Sequence, residues 1–406
     1  MSGGRAFLIV MDSAGIGGAP DADRYFNAGL PDTGANTIGH IALSRGLDMP
    51  CLDRLGLGAA IRLATGLEAP GLGAAPAGLW GLAVEQSRGK DTPSGHWELA
   101  GVPVPWDWHV FPDPQASFPP VLVARIAALA GTDGIHGNCH ASGTEIIARL
   151  GEAHLRSGWP ICYTSADSVL QIAAHEESFG LARLIALCEA VAELVHPMRV
   201  GRVIARPFTG APGAFRRTAG RRDFALPVPG RTILDLAAEA GRATHAIGKI
   251  GDIFSHRGIS HLHKGGSDAD LAGHLLRLAD EAGPGSLTFA NFVEFDSIYG
   301  HRRDIEGYAR ALEWFDGVAA RLIARLRPGD LAILTADHGN DPSWPGTDHT
   351  RETVPVLGWG VGHRPIGRVG FADVGASVAA HLGIGLPAAG RTFLGLIPHV
   401  PDRRFR

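Results

Sequence analysis

The stretch LTADHGNDPSWPGTDHTRE, residues 334–352, places Asp337, His338, Asp341, Asp348 and His349 directly behind an apolar run. Carboxylates and imidazoles without a thiolate suit Mn²⁺, Fe²⁺ or Zn²⁺, and suit Mg²⁺ less well. Two further apolar runs end the same way. AFLIVM (6–11) runs into Asp12, and LTFANFVEF (287–295) runs into Asp296, with His301 five residues later. One Asp at a strand end is ordinarily a turn or cap residue, and one His is ordinarily a surface or core residue. Asp12, Asp296, His301, Asp337, His338 and His349 together, at three strand ends, point to one metal cluster. Successive strand residues face opposite ways, so Asp337 and His338 share a site only if the chain leaves the strand there, a turn that Gly339 permits.

The segment GKDTPSGHWE (89–98) supplies a candidate nucleophile. Thr92 followed by Pro93 reads as an N-cap and a first-turn proline, which aims a hydroxyl and nearby backbone N–H groups at one point. A plain cap is the simplest reading. Beside two metal ions about 4 Å apart, the same hydroxyl becomes a phosphoryl acceptor. The GIGG loop after Asp12 is not a dinucleotide fingerprint, because Pro20 stands where the third glycine is needed. His256, His261 and His263 also cluster, but they follow no apolar strand directly and read as solvated or supporting residues.

These residues need elements to position them. AFLIVM, THAIGKI (244–250), LTFANFVEF, LAILTA (331–336) and VPVLGWG (354–360) have the length and composition of strands buried on both faces. A helix is expected from Asp304, its N-cap, to Arg327, with Tyr308, Leu312, Phe315, Ala319, Leu322 and Leu326 on one face and Pro328-Gly329 as the stop. Strand, helix and strand in this rhythm predict an α/β fold with a mostly parallel sheet, whose ligands bind beyond the carboxyl ends of the strands.

Segments 101–120 and 206–230 are dense in Pro and Gly and mark domain crossings. The expected division is a discontinuous catalytic core, 1–105 and 225–406, around an inserted α+β cap domain, 106–224. Within the cap, helices near 120–130 and 180–195 accompany the strand-like runs PICYTSA and RVGRVIA.

The 406 residues are 45% hydrophobic, enough for a large core, and the formal charge of −4 offers no broad basic field for nucleic acid or an anionic membrane. The 4 cysteines form no C-x-x-C pair, so a reducing compartment fits better than a disulfide framework or a thiolate zinc site. AFLIVM is too short to span a membrane and ends on Asp12 instead of a small-residue cleavage site, so a cytoplasmic protein is expected.

VMDSAGIGGAPDA, DTGANTIGHIA, GKDTPSGHWE, ASGTEII, YTSADSVLQIAAHEE, VGRVIARPF, FDSIYGHRRD and TADHGNDPSWPGTDHTRE follow one another along the chain. In these motifs, over essentially its full length, the sequence resembles the phosphopentomutase family of the alkaline phosphatase superfamily. The resemblance implies an alkaline-phosphatase-like core with an inserted α+β cap. It implies one Mn²⁺ on Asp12, Asp337 and His338, with Thr92 as a further ligand, and a second on Asp296, His301 and His349. Thr92 would carry the phosphoryl group. Ser165, Asp167, Arg202, Arg217 and Lys249 would meet the phosphate and sugar of the substrate, a role for which a planar guanidinium is well shaped. Cys139-His140 stands where Lys-Pro is expected before ASGTEII, a departure confined to the cap.

The activity so implied is interconversion of ribose 1-phosphate and ribose 5-phosphate, and of the 2-deoxyribose pair, through a phosphothreonine enzyme and a 1,5-bisphosphate. A sugar bisphosphate would be the activator, and pentose phosphates would be the partners in place of nucleic acid or membrane. The alternative is a metal-dependent phosphatase of the same superfamily, which needs the same metals and hydroxyl. A phosphoglycerate mutase would resemble a longer chain with serine as acceptor, and a sulfatase would show C-x-P-x-R, which is absent. A regulatory metal-binding protein without catalysis has no need of Thr92 and six intact ligands.

Overall fold

The structure is a computed structural model and describes residues 3–165 and 168–395. Its main sheet has eight strands, β1 (Ala6–Met11), β2 (Leu79–Val84), β3 (Thr244–Ile247), β4 (His261–His263), β5 (Leu287–Phe292), β6 (Leu331–Thr335), β7 (Val354–Trp359) and β8 (Arg364–Gly370). Their spatial order is β4-β3-β5-β1-β6-β7-β2-β8. Only β7 runs against its neighbours in this sheet. Every residue of the central strands β1, β5 and β6 is buried, which is why their sequences are continuous apolar runs without alternation.

The helices that bear on the site are α1 (Thr37–Arg45), α2 (Thr92–Leu99), α3 (Asp268–Glu281), α4 (Ile305–Ile323) and α5 (Phe371–Leu382). α4 packs with α1 and α3, and α2 packs with α5. The Asp304 side chain caps α4 by accepting from Gly307 N at 2.8 Å. The helix ends at Ile323, short of the expected Arg327, because the Arg325 and Leu326 amides turn to carbonyls three residues back. β5 also stops early. The Asp268 carboxylate accepts the Val293 and Glu294 amides at 3.0 and 3.1 Å, and the chain then enters a helical turn, Phe295–Gly300, that carries Asp296.

The chain divides into two compact units, one of Met1–Pro105 with Val228–Arg406, the other Trp106–Pro227. The second unit has its own six-stranded sheet in the order Arg222–Ala225, Arg202–Thr209, Val169–His175, Ile161–Thr164, His136–His140, with Arg216–Arg217 paired to Arg202–Thr209. Helices Pro120–Ala130 and Leu181–Val195 cover a separate apolar core that includes Phe111, Phe118, Leu170, Val191 and Val203. Cys139 and His140 lie on the edge strand, where the register shifts by a residue and His140 Nε2 meets Phe111 O at 2.7 Å. No helix among the described residues is long and apolar enough to cross a membrane.

Candidate active site

The candidate ligands collect at the carboxyl ends of β1, β5 and β6. Asp12 follows β1, and its backbone N–H continues the ladder to Phe292 O at 3.0 Å. Ser13 then adopts φ +68°, a left-handed conformation costly for a residue with a Cβ. That turn aims the Ser13 N–H at Asp337 Oδ1, 3.0 Å away, while its hydroxyl lies 3.0 Å from the buried Tyr308 OH. The ends of β1 and β6 are thereby tied together. Beyond Asp337 and His338, Gly339 pairs with Thr350 through two backbone hydrogen bonds and folds His349 back until its ring centroid is 4.1 Å from that of His338.

Asp296, His301 and His349 form one group. His301 Nδ1 lies 2.7 Å from Thr347 O, which leaves Nε2 facing Asp296 Oδ2 at 3.3 Å. His349 Nε2 is 3.4 Å from Asp296 Oδ1 and 3.2 Å from His301 Nε2. Asp12, Asp296 and His338 form a second group whose ligand atoms lie within 4.8 Å of one another. Asp337 approaches through His338, with Oδ2 3.4 Å from Nε2, and Thr92 Oγ1 is 3.3 Å from the same nitrogen.

The helix cap differs from the expected one. Asp91, not Thr92, caps α2, its carboxylate accepting Ser94 N at 3.0 Å, and Thr92 is the first helical residue. The Thr92 hydroxyl is therefore not committed to the cap and faces the ligand cluster.

Whether metal fits can be judged from the buried charges. Asp12, Asp296 and Asp337 are all buried, and Asp12 Oδ1 and Asp337 Oδ2 accept no hydrogen bond. His96 Nδ1 lies 3.0 Å from Asp337 Oδ2 but directs its hydrogen bond to Thr92 O, also at 3.0 Å. Orphaned buried carboxylate oxygens are costly unless a cation compensates them. Burial, reinforced by the charges of Asp337 and Asp296, pushes Asp12 well above the usual carboxylate range. Burial works against Asp296 too, yet His349 and His301 hold it well below that range. Burial also pushes His338 down to about 4, the neutral form in which imidazole coordinates. Carboxylate oxygens facing imidazole nitrogens are a donor set suited to a metal ion.

Residues 235–386 match a family profile described as Metalloenzyme superfamily. The chain is 57% identical to a phosphopentomutase of Methylobacterium sp. (strain 4-46), covering 96% of this chain and all of the relative. It is 54% identical to the phosphopentomutase of Chelativorans sp. (strain BNC1), over 97% of this chain and 99% of that one. The chain belongs to the phosphopentomutase family. As a mutase it is an isomerase, an intramolecular phosphotransferase, and its fold is a mixed α/β architecture with a mostly parallel sheet. Among solved structures it is similar to Leishmania mexicana phosphoglycerate mutase, at 14% identity over 97% of each chain with a TM-score of 0.48. The metal dependence of this phosphopentomutase-family chain rests on the superfamily match together with the ligand groups.

The other expected site residues lie as follows. Lys249 follows β3, near enough for its charge to act on Asp12. Ser165, Arg202 and Arg217 belong to the second unit, and Asp167 lies outside the described residues. Arg202 begins its strand with Nη1 4.0 Å from Asp223 Oδ2.

Several residues escaped sequence reasoning. Asn291 Nδ2 donates to Asp12 Oδ2 at 3.0 Å and also lies 3.2 Å from His96 Nε2. Asn340 Nδ2 donates to Asp296 Oδ1 at 2.7 Å. Glu352 is buried under the GIGG loop, accepting Gly17 N, Thr37 N, Thr37 Oγ1 and Thr350 Oγ1 at 2.6–3.1 Å. Arg351 is buried between Glu85, Asp21 and the Gly89 carbonyl, and so fastens the loop leading to Thr92. A sequence signal existed only for the last two, since charged residues just after His349, a candidate ligand, invite the question of what they hold.

Proposed function

We propose that this enzyme interconverts ribose 1-phosphate with ribose 5-phosphate, and 2-deoxyribose 1-phosphate with its 5-phosphate, using Thr92 as the phosphoryl carrier. The observation that carries the reading is the Thr92 hydroxyl, released from capping by Asp91 and 3.3 Å from His338 Nε2 inside the ligand cluster. Asp12, Asp337 and His338, with Thr92, would hold one Mn²⁺, and Asp296, His301 and His349 another. When bound, the ions supply the positive charge that favours ionising a hydroxyl and gathering phosphoryl oxygens around it.

In the first half reaction the C1 hydroxyl oxygen of ribose 5-phosphate attacks the phosphorus of phospho-Thr92. The P–Oγ bond breaks, the proton of the attacking hydroxyl ends on Thr92 Oγ, and ribose 1,5-bisphosphate forms. The bisphosphate turns end for end. Thr92 Oγ then attacks the C5 phosphoryl group, the bond from phosphorus to the C5 oxygen breaks, that oxygen takes back the proton, and ribose 1-phosphate leaves a rephosphorylated enzyme. Sugar bisphosphate primes unphosphorylated Thr92 by the second half alone. Lys249, Ser165, Asp167, Arg202 and Arg217 would bind the rest of the substrate. The free cysteines accord with action in the reducing cytoplasm.

The test is a product assay on ribose 5-phosphate with Mn²⁺ and a trace of ribose 1,5-bisphosphate, joined to mass spectrometry of the enzyme. Ribose 1-phosphate and a single phosphate on Thr92 are expected, and Thr92→Ala should abolish both. Inorganic phosphate as the only product would identify a phosphatase, and stable phosphate on Ser94 would displace Thr92 as carrier.

A further inference from the structure

Away from the metal centre, three histidines meet at the outer edge of the core sheet. β3 and β4 pair in parallel, with His245 opposite His261 and Ile247 opposite His263. Residues two apart on a strand share a face, and so do in-register neighbours. His245, His261 and His263 therefore rise from one side of the sheet edge. His245 Nδ1 and His263 Nε2 are 3.2 Å apart, and the rings of His261 and His263 lie 4.8 and 5.4 Å from that of His245. His274 is also adjacent, its ring 5.5 Å from His263, but both of its nitrogens are taken. Its Nε2 meets Lys264 O at 3.0 Å and its Nδ1 meets Arg277 Nη2 at 2.7 Å.

We propose that His245 and His263, completed by His261, bind one divalent late transition-metal ion of the Ni²⁺, Cu²⁺ or Zn²⁺ class at a site separate from the catalytic centre. Two imidazole nitrogens bound to one ion at about 2.0–2.1 Å each stand roughly 3 Å from each other. His245 and His263 already have that spacing. Among the described residues the His261 ring has no hydrogen-bond partner, and its side chain is exposed, so it can turn toward the pair. An imidazole-only donor set favours these ions over Mn²⁺, whose sites draw mainly on oxygen. The competing arrangement is a hydrogen bond in which one ring donates N–H to the other, and it would bind no ion. Arg277, beside His274, is the nearby cation that opposes binding.

Full-length enzyme saturated with Mn²⁺ is titrated with Ni²⁺ by calorimetry near neutral pH, beside His261→Gln/His263→Gln and His261→Gln alone. The unaltered chain should bind one Ni²⁺ that the double variant binds at least about tenfold more weakly, since losing a ligand costs no less than losing an outer partner. Mutase turnover with Mn²⁺ should be the same in all three. Identical Ni²⁺ isotherms for the unaltered and double-variant chains would overturn the proposal and leave a hydrogen-bonded histidine pair. Should the double variant fail to fold, His261→Gln changes only an exposed side chain. Weaker Ni²⁺ binding by that single variant supports the site, and unchanged binding overturns it.

Discussion

At the scale of single residues, the site depends on which atom takes each hydrogen bond. Asp91 takes the capping role that Thr92 would otherwise fill, so the threonine hydroxyl is left to face His338. His301 gives Nδ1 to the Thr347 carbonyl and presents Nε2 to Asp296. His349 stands across the same carboxylate on a loop whose fold is set by the Gly339–Thr350 pairing, not by the histidine ring. His349→Ala should therefore leave the chain folded, lower the bound metal per chain and reduce turnover by about 100-fold or more. Elemental analysis and a turnover assay at saturating Mn²⁺ check this, and an unchanged metal content would remove His349 from the ligand set.

At the scale of elements, the role proposed for Thr92 requires α2 to sit close against the end of β6. Gly95 allows the approach, because a Cβ there would collide with the Asp337 carbonyl oxygen and come within 2.8 Å of the Asp337 Cβ. Backbone cannot swing aside as a side-chain tip can, so Gly95→Ala must push α2, and Thr92 with it, away from the ligands. Overpacking of this kind costs about 1–3 kcal/mol of stability, and misplacing a reacting atom by about 1 Å costs about 100-fold in rate. Turnover should thus fall far more than thermal stability. Steady-state kinetics beside a melting curve tests this, and a variant with ordinary turnover would show that the helix tolerates displacement. Arg351 and Glu352 act at the same scale, fastening the Thr92 loop and the GIGG loop to the segment that carries His349.

At the scale of the whole molecule, one buried ion pair gathers the amino-terminal side of the core sheet. Arg5, just before β1, meets Asp330, just before β6, with Nε–Oδ1 at 3.1 Å and side-chain exposures of 2% and 3%, and its guanidinium also donates to the Ala279 carbonyl near the end of α3. Removing one partner leaves the other charged and buried, which costs about 3–5 kcal/mol. Asp330→Ala should lower the melting temperature by several degrees without touching the site. Burial opposes the Asp330 charge, but hydrogen bonds from Arg5 and from the Arg327 amide hold its pKa below the usual carboxylate range. The pair is therefore at full strength above the unfolded pKa of Asp, and its contribution is lost as pH falls through the lowered folded pKa. A melting-temperature profile against pH should show the variant's deficit shrinking toward acid, and a constant deficit would assign the loss to packing. For the second unit the test falls on Arg217. A mutase of the proposed kind must keep water from phospho-Thr92 while the bisphosphate turns. If Arg217 holds the distal phosphate during that interval, Arg217→Ala should raise the ratio of released phosphate to isomerised sugar phosphate. An unchanged ratio with a slower mutase rate would limit Arg217 to substrate binding.

The sequence alone determined which residue types stand at the strand ends. Strands covered on both faces must be apolar, so carboxylates and imidazoles directly after such runs are conspicuous, and a parallel sheet brings those ends to one side. Asp12, Asp337 and His338 were legible for that reason, and the Asp304 cap of α4 was legible from the apolar helical face that follows it. Tertiary structure decided what each group touches. Asp296 left the strand for a helical turn because Asp268 captured the preceding amides, and Asp91 displaced Thr92 as the cap. Asn291 and Asp12 are 279 residues apart, and Gly17 and Glu352 are 335 apart, so no local pattern announces either pairing. A buried polar atom is satisfied by whichever partner the packed chain delivers to it, and that choice is made by the fold as a whole.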